Sequence, residues 1–334
     1  MPEKTFQALL LNEEQGKTTA AITELSMHDL PEGDVLVKIN YSTLNYKDGL
    51  AVTGKGKIVR NFPFVPGIDF VGTVEESASP VFKAGDAVIL NGWGVAEKHR
   101  GGFSQYARVK SDWLIPLPDR ISEVQAMGIG TAGYTAMLAV MALEEHGCTP
   151  ESGEVVVTGA TGGVGSTATA ILGNLGYRVV AATGRSELED YLKSLGATRI
   201  IPRDELDRDS RPLESGQWAG AIDTVGGRTL ATLISTMSYG CSIAAIGLAG
   251  GHELHTTVYP FILRGVNLIG IDSVMCPKDR RLRAWKRLSE QLPLHLLDKM
   301  IQIVPLSDVI ALSEQIVAGQ TQGRLVIDVN STDE

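Results

Sequence analysis

The feature that most constrains the fold is a glycine-rich segment that follows an apolar strand, Val155–Gly165, with the sequence VVVTGATGGVG. A pyrophosphate must closely approach the backbone N–H groups at a helix N-terminus, and side chains there would block it. Gly162 and Gly163 permit the tight turn and the close approach, Val164 follows them, and Gly165 lets the helix lie against the strand. The segment predicts a dinucleotide-binding turn. A structural turn without a nucleotide is the alternative.

The surrounding pattern predicts an α/β fold of two domains. Before about residue 122, short Val- and Ile-rich segments alternate with Gly/Pro/Asp turns, which indicates a small β-rich domain. After Pro150, strands alternate with helices, which is typical of a doubly wound parallel sheet covered on both faces. We expect strands at Val155–Thr158, Arg178–Ala182, Arg199–Ile201, Ala219–Thr224, Ser242–Gly247 and Asn267–Asp272, and helices near Gly163–Asn174, Ser186–Leu195, Arg228–Met237, Asp279–Glu290 and Ser307–Ala318.

The end of the second strand of this sheet predicts which nicotinamide cofactor binds. Folds that prefer NAD have an acidic residue there, which binds the ribose 2′-hydroxyl. Here the strand ends in Thr183, Gly184 and Arg185. A guanidinium binds a 2′-phosphate that a carboxylate would repel, so the sequence favours NADPH. Arg203, just after the third strand, either approaches the adenosine or is a solvated loop arginine.

Composition excludes several classes of partner. The net charge of −9 argues against general binding to nucleic acid or to an anionic membrane. No run of about 18 apolar residues lacks a charge or a turn residue, so no membrane-spanning helix is expected. The short apolar run Ala8–Leu11 is interpreted as a first strand rather than a signal peptide, which predicts a cytoplasmic location. Cys148, Cys241 and Cys276 are interpreted as reduced, mostly buried thiols.

No metal site is expected. The six histidines and three cysteines form no complete ligand set in the N-terminal half, and Pro66-Gly-Ile-Asp69 stands where a zinc enzyme would carry a His-Glu pair. Alcohol oxidation through a metal-bound alkoxide is therefore disfavoured. Reduction of an activated C=C bond stays open, because the carbonyl of the substrate accepts the developing charge.

The order of these parts resembles the zinc-independent branch of the medium-chain dehydrogenase/reductase superfamily, which includes quinone oxidoreductases and enoyl reductases. More narrowly, several distinctive segments along nearly the whole chain resemble the acryloyl-CoA reductase (YhdH/AcuI) group. They are Ser42–Asp48 (STLNYKD), Gly54–Ile58 with Arg60–Pro63, Asn91–Gly94, Gly130–Ala136 and Pro260–Arg264.

The resemblance implies a GroES-like substrate domain at both ends of the chain (residues 1–125 and 275–334) and a Rossmann domain between (126–274). It also implies NADPH-dependent reduction of acryloyl-CoA to propanoyl-CoA. In such a group Tyr46 lies beside the nicotinamide, while Leu248, Ile262 and Ser273 line that half of the cofactor. Gln320 stands where the family has a polar cofactor contact, often Asn.

In the hypothetical reaction, hydride passes to the β-carbon of an unsaturated thioester, and the resulting enolate needs hydrogen-bond donors. Tyr46 is the candidate for orienting the substrate or donating a proton, or it only packs against the nicotinamide ring. Asn45 and Lys47 would polarise the carbonyl, although a structural role in the turn is favoured for both. Thr131 would contact the nicotinamide amide, or it only caps a helix.

A CoA thioester carries phosphates, so a basic patch is expected, with Lys55, Lys57 and Arg60 as tentative members and Arg264 and Arg324 as alternatives. The apolar segment Asn267–Asp272 would form a sheet edge, which predicts a homodimer because related folds pair two such edges. Two other functions stay open. One is an NADPH-dependent quinone or enone reductase, and the other is a non-catalytic NADPH-binding protein.

Overall fold

The computed structural model describes residues 4–331, and the structural statements below refer to these residues. The β-strands are β1 (Thr5–Glu14), β2 (Lys17–Ser26), β3 (Val35–Leu44), β4 (Asp69–Ser77), β5 (Ala87–Asn91), β6 (Tyr106–Val109), β7 (Leu114–Pro116), β8 (Glu154–Val157), β9 (Arg178–Thr183), β10 (Ala197–Pro202), β11 (Trp218–Asp223), β12 (Met237–Ala245), β13 (Asn267–Gly270), β14 (Ile301–Pro305) and β15 (Arg324–Asp328). The α-helices are α1 (Tyr46–Val52), α2 (Glu123–Glu145), α3 (Gly163–Asn174), α4 (Glu189–Ser194), α5 (Gly227–Thr236), α6 (Tyr259–Arg264), α7 (Lys278–Gln291), α8 (Leu294–Met300) and α9 (Val309–Val317).

The chain divides into two compact units. The first contains the residues up to Thr131, the segment Val274–Lys278 and the residues from Met300 onward, so it is built from both ends of the chain. The second contains Ala132–Ser273 and Asp279–Lys299. This division differs from the boundaries expected from the sequence. The first boundary lies six residues after residue 125, and Asp279–Lys299, which we had expected in the substrate domain, belongs to the second unit.

The first unit is built around a mixed sheet with the strand order β14-β15-β3-β4-β5-β7, in which β6 also pairs with β3. β1 and β2 form a separate antiparallel hairpin. Its two-residue turn has positive φ angles at Gln15 (53°) and Gly16 (76°), as a type I′ turn requires. The inner sheet residues, including Val37, Ile39, Phe70, Leu90 and Ile327, form the core of this unit. Because β3 pairs with β15, the residues that precede α1 lie beside the residues near the far end of the sequence.

The second unit is a six-stranded parallel sheet with the order β10-β9-β8-β11-β12-β13. In chain order this is 3-2-1-4-5-6, the arrangement of a doubly wound dinucleotide-binding fold. Helices cover its faces, and the central strands β8, β9 and β11 are accordingly apolar along most of their length. The strand order reverses next to β8, and ligands of such sheets bind at the carboxyl ends of the strands at that point. The glycine-rich turn begins there.

Helix α2 is long and apolar enough to cross a membrane by length and composition alone, but 94% of its apolar window is buried inside the protein. It therefore has the environment of a core helix. Its helical geometry is interrupted at Gly130, where φ is 46° and ψ is −157°. A new helical segment therefore starts at Thr131, after the kink.

Candidate active site

The glycine-rich turn connects β8 to α3. Gly162 is the N-cap of α3 and, being glycine, makes no side-chain cap hydrogen bond to this helix. The first N–H groups of a helix have no acceptor within the helix itself, and the helix dipole makes this end attractive to an anion. Gly163, Val164 and Gly165 form the first turn of α3. The sequence thus builds a helix start whose N–H groups are available to a pyrophosphate.

Gly165 allows α3 to lie close to the turn. A Cβ atom added there would lie 2.3 Å from the carbonyl oxygen of Gly159 and 2.7 Å from the Cα of Ala160. Any side chain would therefore push the helix away from the turn. The close approach is the packing that a phosphate-binding turn needs.

The end of β9 brings two cationic side chains together. Arg185 donates hydrogen bonds from Nε (3.2 Å) and Nη2 (2.6 Å) to the hydroxyl of Thr161, and its N–H donates to the hydroxyl of Thr183. The guanidinium of Arg203 lies against Gly184, where a Cβ atom would be 2.8 Å from its Cζ. Two guanidinium groups therefore flank the end of the strand. This arrangement fits a dinucleotide that carries a 2′-phosphate on its adenosine ribose.

Sequence reasoning missed one residue of this region, Tyr191. Its hydroxyl donates to the hydroxyl of Ser166 (3.1 Å) in the first turns of α3. Burial raises the pKa of Tyr191, although the hydrogen bond to Ser166 and the charge of Arg185 act in the opposite direction. A tyrosine in a short helix resembles an ordinary core residue, so no local pattern indicated it.

The second group of residues surrounds Tyr46 in the first unit. Tyr46 is the first residue of α1, and its side chain is 42% exposed. Asn45 precedes it as the N-cap and is buried. The carboxylate of Asp48 accepts hydrogen bonds from the backbone N–H of Asn45 (3.0 Å), the amide of Asn45 (3.2 Å) and the N–H of Ile68 (3.0 Å). The buried carboxylate of Asp48 therefore holds the turn before Tyr46 in place.

Asn45 is bonded on both sides of its amide. Its Nδ2 donates to the carboxylate of Asp69 (2.9 Å), and its Oδ1 accepts from Arg324 (3.2 Å). We had expected Asn45 among the catalytic residues, with a structural role as the favoured alternative. The observed bonds favour that structural role, since both ends of its amide are already used within the protein.

Asp69 and Thr131 form the next connection. The N–H of Thr131 donates to one oxygen of Asp69 (2.8 Å) and its hydroxyl donates to the other. Asp69 thereby caps the helical segment that begins after the kink at Gly130. A Cβ atom at Gly130 would lie 2.8 Å from Asp69 and 2.9 Å from Arg324, so only glycine fits between them. Thr131 thus lies at a helix start, as the capping alternative for it supposed. The capping group, however, is the carboxylate of Asp69.

Burial dominates the ionisation of this cluster. Burial first, and then the nearby charge of Asp69, together raise the pKa of Asp48 to about 7. Burial also raises the pKa of Asp69, against the hydrogen bonds from Thr131 and Asn45. For Arg324, which is 3% exposed, burial lowers the pKa although both acids favour the charged form.

The two arginines considered as alternatives for CoA phosphates are engaged elsewhere. Arg324 donates to the carbonyl of Gly128 (2.8 Å) and the hydroxyl of Thr43 (2.9 Å) in addition to Asn45. Arg264 donates to three backbone carbonyls, those of Glu214, Ser235 and Met237. These bonds argue against both as phosphate ligands, most strongly for the buried Arg324. A sequence shows an arginine but not the buried carbonyls around it.

The lysines of the first unit differ in their partners. Lys47 forms an ion pair with Glu97 at 2.6 Å, which favours the structural role over polarisation of a substrate carbonyl. Lys55 pairs with the exposed Glu314. Lys57 and Arg60 are exposed, and in the described part of the chain neither forms an ion pair.

The residues expected to line the nicotinamide half lie at or near the surface. Leu248 is 62% and Ile262 is 69% exposed. Ser273 is half-buried, and its carbonyl accepts a hydrogen bond from Arg281 (3.2 Å). Gln320 is exposed, and its N–H donates to the carbonyl of Gln315. Their contacts with a cofactor stay predictions. Among residues 4–331, no three His, Cys, Asp or Glu side chains are grouped so that they would hold a metal ion.

Comparison with known families supports both units. Residues 31–119 match the alcohol dehydrogenase GroES-like domain, and residues 163–290 match the zinc-binding dehydrogenase family. The predicted pairing of a GroES-like domain with a Rossmann domain is thereby confirmed.

Individual relatives match over nearly the full length. The acrylyl-CoA reductase AcuI of Ruegeria pomeroyi is 58% identical over 329 residues, which cover 98% of this chain and 100% of the relative. The crystal structure of YhdH from Escherichia coli K-12 with bound NADPH is 56% identical with a TM-score of 0.95, covering 97% of this chain and 100% of that one. The structure of Bacillus subtilis YhfP with NAD bound is 46% identical with a TM-score of 0.94, covering 97% and 99%.

The raised pKa of Asp48 predicts how its replacement affects stability. An aspartate in an unfolded chain titrates near about 4, so between pH 4 and 7 the folded protein binds the extra proton and stability falls as pH rises. Asp48→Asn removes this dependence. Its destabilisation relative to the parent should be larger at pH 5 than at pH 8, by on the order of 2 kcal/mol, in urea-induced unfolding.

Asp34→Asn is the matched control for this experiment. Asp34 accepts hydrogen bonds from the N–H and hydroxyl of Ser111, and the Ser111 hydroxyl lowers its pKa. The contribution of the ionised Asp34 carboxylate to the free energy of unfolding is fully present above about pH 4. The destabilisation by Asp34→Asn should therefore be the same at pH 5 and at pH 8. Equal pH dependence in the two variants would contradict the assignment of Asp48.

Proposed function

The chain belongs to the acrylyl-CoA reductase group of the medium-chain dehydrogenases/reductases, and on this premise we propose that it reduces the C=C bond of acryloyl-CoA to propanoyl-CoA with NADPH. The observation that carries the proposal is the combination of the relative's 58% identity with the two guanidinium groups at the end of β9. The first supports the substrate class, and the second supports the phosphorylated cofactor.

When bound, NADPH would supply the hydride for the β-carbon and become NADP+. The C=C electron pair would move into the thioester to give an enolate, and the α-carbon would then take a proton from a donor or from water. The N–H groups at Gly163–Gly165 would hold the pyrophosphate, with Arg185 and Arg203 on the 2′-phosphate and Thr183 and Gly184 beside them. Tyr46 would orient the reacting groups, and its phenol would donate a hydrogen bond or the proton. Asn45 would fix the direction of Tyr46 rather than contact the substrate.

The remaining members of the cofactor site are Thr131, Leu248, Ile262, Ser273 and Gln320, which we propose for the nicotinamide half. Thr131 is supported by its position at a helix start, held by Asp69. Ser273 is supported by the bond from Arg281 that fixes its carbonyl. Leu248 and Ile262 are supported by their exposed apolar side chains.

The substrate is tested by steady-state assays of NADPH oxidation with acryloyl-CoA and with simple quinones. A kcat/KM for acryloyl-CoA at least tenfold above that for any quinone is expected. A preference for quinones would favour the second function, to which the Bacillus subtilis relative named putative quinone oxidoreductase YhfP, 47% identical, lends weight. Tight NADPH binding without turnover of any enone would favour the non-catalytic function.

The CoA phosphates would meet Lys57 and Arg60, and Lys55 less strongly because Glu314 already neutralises it. Replacing Lys57 and Arg60 together by Ala should raise the KM for acryloyl-CoA about two- to fivefold, as expected for exposed charges. The KM for an acryloyl thioester that lacks the nucleotide should not change. Lys83→Ala, at another exposed position, is the control. An unchanged KM for acryloyl-CoA in the double variant would discard the patch.

Cofactor preference is tested at the end of β9. Arg185→Ala and Arg203→Ala should each weaken NADPH binding by roughly 10- to 150-fold in calorimetry, since a charged hydrogen bond contributes about 1.5–3 kcal/mol. NADH binding should change little, because NADH lacks the 2′-phosphate. Arg178→Ala, at the opposite end of the same strand, is the control. NADH binding as tight as NADPH binding in the parent protein would overturn the assignment, and the NAD-bound relative makes this comparison necessary.

We also propose a homodimer formed through the edge strand β13, which among residues 4–331 pairs with β12 alone. Several apolar residues on or close in sequence to this edge are exposed: Val258, Tyr259, Leu263 and Leu268. An open apolar edge invites pairing with a second copy. Sedimentation should therefore give about twice 35.7 kDa, and Leu268→Lys should shift it to the monomer. A monomeric parent protein would contradict this proposal.

A further inference from the structure

Asp69 connects two segments that are far apart in the sequence. Its carboxylate accepts hydrogen bonds from the amide of Asn45, the residue before Tyr46, and from the N–H and hydroxyl of Thr131. It is completely buried. The start of α1 and the helical segment after Gly130 are therefore held by the same two oxygen atoms.

Arg324 closes this connection from the other side. It donates to Oδ1 of Asn45, to the hydroxyl of Thr43 and to the carbonyl of Gly128. Gly128 and Thr131 lie on opposite sides of the kink at Gly130. The bonds thus form a closed ring from Gly128 through Arg324, Asn45 and Asp69 to Thr131, and the kink lies inside it.

Stability alone is a poor explanation for two such charges. Removing a carboxylate and a guanidinium from water costs several kcal/mol per ion, and well-packed apolar side chains often fold equally well or better. The charged groups instead fix the orientation of the side chains that are hydrogen-bonded to them. Three donors converge on Asp69 and three acceptors surround Arg324, so neither the amide of Asn45 nor the hydroxyl of Thr131 is free to rotate.

We propose that Asp69 and Arg324 are positioning residues that fix Tyr46 and Thr131 relative to each other for hydride transfer. The proposal rests on the proposed function, which assigns both residues to the nicotinamide half. The two charged residues are buried and would act through Asn45 and Thr131, to which they are hydrogen-bonded. Their effect is on the geometry of the reacting groups, and the adenosine half of the cofactor is bound independently of them.

The test compares Asp69→Asn and Arg324→Lys with the parent protein and with Asp34→Asn. The control is well matched, because Asp34 also accepts from the N–H and hydroxyl of one residue, Ser111, elsewhere in the same unit. Four quantities are measured: the Kd of NADPH by calorimetry, the fluorescence emission of bound NADPH, kcat with acryloyl-CoA, and the isotope effect on kcat with NADPH deuterated at the transferred position.

Asp69→Asn should bind NADPH with a Kd within about threefold of the parent's, while the emission of the bound cofactor shifts towards that of free NADPH. Its kcat should fall about 10- to 100-fold, the usual effect of misplaced reacting groups, and the isotope effect should increase because hydride transfer becomes slower. Arg324→Lys keeps the charge but not the fork of donors, and should change the same quantities in the same direction. It also carries the test if Asp69→Asn does not fold. Asp34→Asn should lower the midpoint of thermal unfolding without changing kcat, emission or isotope effect.

The proposal is overturned if both site variants keep the parent's emission and isotope effect, or if Asp34→Asn changes them equally. Failure of the proposed function gives a different result. In that case the parent protein itself does not reduce acryloyl-CoA, while the emission of bound NADPH still reports whether Asp69 and Arg324 position Thr131 and Tyr46.

Discussion

The buried carboxylate of Asp69 is the interaction on which the architecture around Tyr46 depends. A carboxylate without partners could not remain in this interior, so its charge requires Asn45, Thr131 and the nearby Arg324 to stay where they are. Gly130 is equally constrained, because any side chain there would enter the space between the two charges. One buried charge thus determines the direction of a turn, the start of a helix and the identity of a glycine.

Much of the second unit could be predicted because its signals are local. Apolar strands, glycine turns and helical spacing gave all six strands of the parallel sheet, and α3 begins and ends at the predicted residues. β12 begins at Met237, five residues before the predicted start. The early part of this strand was missed because Tyr239 and Gly240 are exposed and do not continue the apolar pattern of a buried strand. Helix α6 was missed because a helix of six residues is too short to show a recognisable helical spacing of apolar residues.

The two parts of the candidate site, the end of β9 and the cluster around Asp69, also differ in how far their signals are local in the sequence. Thr183, Gly184 and Arg185 follow a strand directly, and the phosphate chemistry can be inferred from their order alone. Asp69 and Arg324 are separated by more than 250 residues, and their proximity follows from the pairing of β15 with β3. Without that pairing Arg324 resembles a surface cation, which is why it was considered as a phosphate ligand, and Asp69 was noticed only as the residue in place of a zinc ligand.

The pairing of β3 with β15 also has a consequence for biosynthesis. Residues 324–328 leave the ribosome after the whole of the second unit, which is complete once Lys299 has emerged. Until then Asn45 lacks the guanidinium that donates to its amide oxygen, and Asp69 lacks the nearby positive charge, whereas the parallel sheet already has all its strands. We therefore expect the second unit to be able to fold on the nascent chain before the sheet of the first unit is completed by β15.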